Sequence, residues 1–169
     1  MITQLSLTFG SQQVLSELQH RYPERSMLLL DTSTAGQQLA LLDVSGQPSV
    51  FSSPVHYDIK LHRGTTSWQG FVNFIFLDNL SADDQKVFNS KANHFVTTEA
   101  MPDGMRSIYF MKDEKNRSNN IILSTWDTSA DYALWKRSPS FKPFEYFKST
   151  QNNYHEASYH FIEETQQSK

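Results

Sequence analysis

The chain has 169 residues, 38% hydrophobic and 13% aromatic, and its twelve Phe and seven Tyr call for an aromatic rather than an aliphatic core. A net charge of −3 leaves no dominant basic field to hold nucleic acid. The lack of cysteine excludes disulfides, thiolate metal ligands and cysteine nucleophiles, and the longest apolar run falls far short of the roughly 20 residues that span a membrane.

The start, Met1-Ile2-Thr3-Gln4-Leu5-Ser6, has neither the basic nor the apolar region of a signal peptide, so a soluble cytoplasmic protein is expected. Ile2, Leu5, Leu7 and Phe9 suggest a first strand. Ser11 can cap a helix whose apolar face is Leu15, Leu18 and Tyr22, with Pro23 ending it. Met27-Leu28-Leu29-Leu30 reads as a buried strand. Leu39 to Leu42 and Ser49-Val50-Phe51 read as a hairpin turning at Ser45-Gly46. Residues 1–56 thus form a β-α-β-β-β unit. Residues 57–67, polar and broken by Gly64, Thr65, Thr66 and Ser67, read as a connector.

Residues 68–164 form a second unit. Trp68 to Leu77 is a strand. Ser81 and Asp84 cap a helix carrying Phe88, Ala92, Phe95 and Val96 on one face. Met101-Pro102-Asp103-Gly104 is a turn, Ile108 to Met111 a strand, Lys112 to Asn120 a polar loop, and Ile121 to Trp126 another strand. Thr128 and Asp131 cap a helix through Trp135. Ser138-Pro139 opens a short helix with Pro at its favoured first position, and Tyr154 to Ile162 is the last strand. The order β-α-β-β-α-β is ferredoxin-like, so the fold class is α+β. Both units begin β-α-β-β, as a diverged duplication would.

Three positions stand out. Asn73 interrupts Phe71-Val72-Asn73-Phe74-Ile75-Phe76-Leu77, on the face of Phe71, Ile75 and Leu77. A buried amide without partners costs roughly 1–3 kcal/mol, so it bonds either a neighbour in the core or a ligand. Trp135 shares a helical face with Tyr132 and, taken alone, reads as a core tryptophan. Glu145 lies one step off the stripe Phe141, Phe144 and Phe147 and reads as solvated; Pro143 should kink its helix or limit it to one turn. His155 and His160 are five apart on the last strand, hence on opposite faces, with His155 on the side of Ala157, Tyr159 and Phe161. No zinc-protease helix motif, phosphate loop or nucleophile elbow is present.

The strand Asn73, the helix Trp135 and the segment Trp126-Asp127-Thr128…Leu134-Trp135-Lys136-Arg137-Ser138…Phe141-Lys142 together resemble the antibiotic biosynthesis monooxygenase (ABM) superfamily, nearest its iron-regulated haem-degrading branch. Phe9-Gly10, Pro23, Met27-Leu28-Leu29, Ser45-Gly46, Val50-Phe51 and Pro54…Tyr57 resemble the amino-terminal extension of the bacillary haem monooxygenases and of the staphylococcal TRAP-type signalling proteins. The resemblance implies a ferredoxin-like fold of the dimeric α/β-barrel type, with residues 1–56 supplying the second half-barrel in a monomeric pseudo-dimer, or else a homodimer. It implies a flat apolar small molecule such as haem as partner and an external electron donor. In that branch the Asn hydrogen-bonds the distal iron ligand, the Trp presses on the porphyrin, and a helical His ligates iron. Asn73 and Trp135 match the first two roles. Glu145 stands at the His position, and a carboxylate is a poor axial haem ligand. The implied function is a monooxygenase with a degraded iron-ligand position; the alternative is a non-catalytic TRAP-like signalling or stress protein that keeps the fold.

Overall fold

Eight antiparallel strands close on themselves in the order β1-β3-β2-β8-β5-β7-β6-β4. The computed structural model describes residues 2–32, 38–148 and 153–162. In chain order the elements are β1 (Gln4–Gly10), α1 (Gln12–Arg21), β2 (Met27–Asp31), β3 (Leu39–Asp43), β4 (Val55–Gly64), β5 (Phe71–Asp78), α2 (Ala82–Thr97), β6 (Met105–Asp113), β7 (Asn120–Trp126), α3 (Ser129–Lys136), α4 (Lys142–Glu145), a 3-10 turn (Tyr146–Lys148) and β8 (Asn153–Phe161). The α+β class and the ferredoxin-like order are both observed. Strands β8-β5-β7-β6 make one sheet, β4-β1-β3-β2 the other, and seams β6–β4 and β2–β8 close the barrel within a single chain.

Among the described residues the two seams differ in paired length. β4 and β6 pair from Tyr57↔Asp113 to Gly64↔Ser107. Among the described residues β2 and β8 pair at Leu30↔Phe161 and Asp31↔His160, extended by the Ile162 N–H bond to Leu29 O (2.9 Å).

Alternation along the strands splits the core in two. Leu5, Leu7, Val72, Phe74, Tyr109 and Leu123 fill the barrel interior. Phe71, Ile75, Ile108, Phe110 and Trp126 face outward and are covered by Phe88, Phe95, Trp135, Phe144 and Phe147. Each such side chain contributes about 1.5–3 kcal/mol by leaving water. A smaller cluster of Leu15, Met27, Leu29, Leu41 and Phe51 sits under α1. Helix starts follow their capping residues: Ser11 Oγ accepts from Val14 N (3.3 Å), Ser81 Oγ from Asp84 N (3.1 Å) and Thr128 Oγ1 from Asp131 N (3.2 Å).

Three sequence expectations are corrected. The span 57–67 is no mere connector: β4 runs through Val55–Gly64 and is paired on both sides. Val55, Tyr57 and Ile59 alternate towards the barrel interior, and past the register slip at Lys60 Leu61 turns to the outer layer. Ser49-Val50-Phe51 is not a strand; β3 pairs with β1 and β2, and Phe51 instead plugs the cluster beneath α1. The helix expected at Ser138-Pro139 begins only at Lys142, because residues 138–141 form turns. Pro143 falls in the first turn of α4, where its missing N–H costs nothing, and α4 has one turn.

Candidate functional site

β5 presents Phe71, Asn73, Ile75 and Leu77 to the layer between barrel and helices. Asn73 is 1% exposed. Its cross-strand neighbours are Ser124 on β7 and Ser158 on β8, so a short polar row crosses three strands inside an aromatic layer. Asn73 Nδ2 donates to Ser158 Oγ at 2.8 Å, while its Oδ1 has no partner among the described residues. Turning the amide over does not repair this. Ser158 would then donate to Oδ1, and the NH2 would be stranded instead. Ser124 Oγ accepts from Trp126 Nε1 at 2.8 Å and makes no hydrogen bond to Asn73. Half of a buried amide is therefore left unpaired, a cost of about 1–3 kcal/mol.

Opposite the sheet, Tyr132 and Trp135 share the buried face of α3. Trp135 is enclosed by Phe141 (4.8 Å between ring centroids), Trp126 (5.4 Å) and Phe95 (5.9 Å), and its Nε1 donates to Ser140 Oγ at 2.8 Å. The Tyr132 ring lies against both Phe71 and Trp126 (5.7 Å each) and covers the sheet beside Asn73.

A polar clasp holds α3 down on β8. Tyr132 Oη donates to the Glu156 carboxylate, and Lys136 Nζ donates to Glu156 Oε1 (2.7 Å) and to Tyr154 Oη (3.0 Å). Lys136 also sits over the Phe141 ring at 4.7 Å. Burial pushes the Glu156 carboxyl up, but hydrogen bonds from Lys136 and Tyr132, with the charges of Lys136 and Lys148, outweigh it and hold the group below its ordinary value. Burial lowers Lys136, partly offset by its bond to Glu156. Burial and then the Glu156 hydrogen bond raise Tyr132. The sequence reading missed this clasp. Its signals are Tyr132 and Lys136 four apart on α3, and Glu156 on the same strand face as Ser158.

Glu145 is exposed on α4. Its charge reaches Tyr154, whose hydroxyl is raised first by burial, then by the charge and hydrogen bond of Glu156, and last by Glu145. The structure therefore gathers Asn73 and Trp135 about one aromatic layer and leaves Glu145 outside it. His155 stacks on Phe76 (4.5 Å) beside Asp78 and has the parity of the barrel-interior residues. It is His160, opposite Phe71 at 5.7 Å, that shares the Asn73 face. Phe71 and His160 line a cleft of ≈ 760 Å³ along the short seam, walled by Met27, Leu29, Trp68 and Phe161.

These side chains do not fit a haem iron as they stand. The residue at the expected ligand position is an exposed carboxylate, the Trp135 indole is enclosed, and Tyr132 fills the space over the sheet. Among the described residues, no group of three or more His, Asp or Glu gathers at metal-ligand spacing. Likewise, no helix is long and apolar enough to cross a membrane.

No family model matches the sequence, and no curated protein matches it. Solved structures do. A monooxygenase-like protein from Listeria innocua is 22% identical and superposes with a TM-score of 0.82 over 96% of this chain and 95% of that one. A haem-degrading enzyme from Listeria monocytogenes is 22% identical, with a TM-score of 0.71 over 94% and 99% of the two chains. A major regulator of staphylococcal pathogenesis is 16% identical, with a TM-score of 0.77 over 95% and 99%. At these identities the likeness establishes the fold, and it bears out the resemblance read from the sequence at that level.

Proposed function

We propose that this is a monooxygenase-type protein that receives a flat apolar small molecule on the outer face of β5 and β8, beneath α3. One observation carries the reading: the unpartnered carboxamide oxygen of Asn73, buried in an aromatic layer where a polar group is otherwise a liability. Asn73 supplies the polar contact to the guest. With the Tyr132 ring displaced by the guest, Phe71, Trp126 and Trp135 supply the flat apolar walls. The cleft at Phe71 and His160 is the entrance, one register step (about 7 Å) along β5 from Asn73. The fold shared with a monooxygenase-like protein and with a haem-degrading enzyme supports the class. The exposed carboxylate at Glu145 argues that the guest is held by its flat face rather than through an iron atom.

Parallel titrations with hemin and with iron-free protoporphyrin IX test this, because the two share one apolar body. The expected result is similar affinity for both, quenching of tryptophan fluorescence, and no sharp Soret band with hemin. Much tighter hemin binding with a sharp band would mean that an iron ligand exists and that Glu145 is the wrong position. In that event His160 is the first replacement to make, since it shares the Asn73 face. With Glu145→His and Pro143→Ala combined, hemin is expected to gain affinity over protoporphyrin IX.

A second reading, a non-catalytic signalling or stress protein that keeps the fold, is favoured by the clasp of Tyr132, Lys136 and Glu156, which shuts the layer over Asn73. The likeness to the staphylococcal regulator is in keeping with it. Failure of both porphyrins to bind would decide for this second reading.

A further inference from the structure

On the long seam, away from Asn73, a cleft of ≈ 400 Å³ opens between β4, β6 and α2. Lys60, Lys112 and Arg117 all line it, and none of its lining residues is acidic. That is a pronounced local excess in a chain of net charge −3. The backbone builds part of it. The register of β4 against β6 slips between Ile59 and Leu61, so Lys60 sits in a bulge. Both Lys60 and Leu61 then line the same cleft, although neighbouring residues of a regular strand point to opposite faces.

The carboxylate nearest in the register, Asp58, lies opposite Lys112 but is taken by Arg117. Among the described residues neither Lys60 nor Lys112 forms a salt bridge. Burial, then the charges of Arg117 and Lys60, depress the Lys112 ammonium below its ordinary value, as crowding by like charges does. On α2, the Asn89 carboxamide accepts from Gln85 through its oxygen (3.0 Å), which leaves its NH2 to donate. The cleft therefore offers ammonium, guanidinium and amide donors, and its floor is Leu61, Phe88 and Phe110.

We propose that this cleft is a binding site for a small oxyanion of the phosphate class, held by Lys60, Lys112 and Arg117 and oriented by Asn89. The apolar floor suits a phosphate monoester with a small hydrophobic body over the bare ion. Nothing in this inference rests on the outer-face site.

The test uses the full chain at constant ionic strength. Inorganic phosphate and phenyl phosphate are titrated against chloride, and backbone amide shifts are followed by NMR. Saturable shifts at Lys60, Lys112, Arg117 and Asn89 are expected, with phenyl phosphate the tighter ligand. Lys60→Met and Lys112→Met should each weaken binding about tenfold or more, since each removes a charge-assisted contact, whereas Lys60→Arg should retain it. Both lysines are at least partly exposed, so these variants should fold, and the unchanged spectrum of the rest of the chain verifies it. Co-sedimentation with phosphatidic acid vesicles separates a lipid headgroup from a free ester as the natural source. The proposal is overturned if phosphate causes no saturable shift, if the shifts lie elsewhere, or if the Lys60→Met, Lys112→Met double variant responds like the wild type.

Discussion

Replacing Asn73 by Leu tests the central premise of the outer-face site. The substitution removes one neutral hydrogen bond, Nδ2 to Ser158 Oγ at 2.8 Å, worth about 0.5–1.5 kcal/mol. Ser158 is half-buried, so its freed hydroxyl can turn to water. Against that loss, the unpartnered Oδ1 disappears, relieving about 1–3 kcal/mol. Leu also adds apolar contact with Phe71 and Ile75 at a position 1% exposed. Before the added apolar contact, which favours the variant further, the balance runs from about 0.5 kcal/mol against it to about 2.5 kcal/mol in its favour. For a chain of this length each kcal/mol moves the melting temperature by about 2–4 °C. Urea unfolding followed by tryptophan fluorescence reads it directly: the midpoint should hold or rise with the slope m unchanged. The same variant should lose affinity for protoporphyrin IX. A stability loss of about 1 kcal/mol or more would refute the reasoning and make Asn73 a structural hydrogen-bonder. Ser158→Ala is the control. It strands the whole amide and should cost about 1–2 kcal/mol.

Three more outcomes follow from the geometry. Gly70 has φ +86°, and a Cβ there would meet Trp126 O at 2.1 Å, so Gly70→Ala should cost at least about 1–3 kcal/mol in chemical denaturation, whereas Gly10→Ala, whose Cβ meets only Leu15 at 3.4 Å, should stay within about 1 kcal/mol. The Glu156 carboxyl is held below its ordinary value, so its contribution is complete above the unfolded carboxylate pKa of about 4.3 and is lost as pH falls through the lower folded value. Stability measured through that acid range should fall less steeply in Glu156→Gln, and identical slopes would show the clasp to be idle. Residues 66–169 expressed alone lose β1 to β4, leaving the free edges of β6 and β8, and uncover Val72, Phe74, Tyr109 and Leu123; insoluble or newly dimeric material is expected, and a well-behaved monomer would count against integral closure of the barrel.

Much of the fold was legible because local chemistry sets it. The Ser11, Ser81 and Thr128 caps, the apolar faces of α1 and α2, and the near-continuous apolar runs of β5 and β7 needed no tertiary information. The placement of Asn73 with Phe71, Ile75 and Leu77 was legible for the same reason, since alternation alone assigns strand faces. β4 was misread because His56, Asp58, Lys60 and His62 mask the alternation of its apolar partners, and only pairing on both sides makes it a strand. The late start of α4 depends on the turns that seat Phe141 beneath Trp135, a packing demand that no helix propensity carries.

Closure is the clearest case of what tertiary structure decided. The sequence determined two strand–helix units and their order. Which edges meet is a long-range matter: β1 with β4, β2 with β8 and β4 with β6. That pairing left one short seam with a cleft at Phe71 and His160, and one long seam with a cluster of cations. The sequence named Asn73, Trp135 and Glu145 as positions of interest. Only packing could show Asn73 half-satisfied, Trp135 walled in and Glu145 in solvent, because hydrogen-bond satisfaction and burial depend on neighbours far away in the chain.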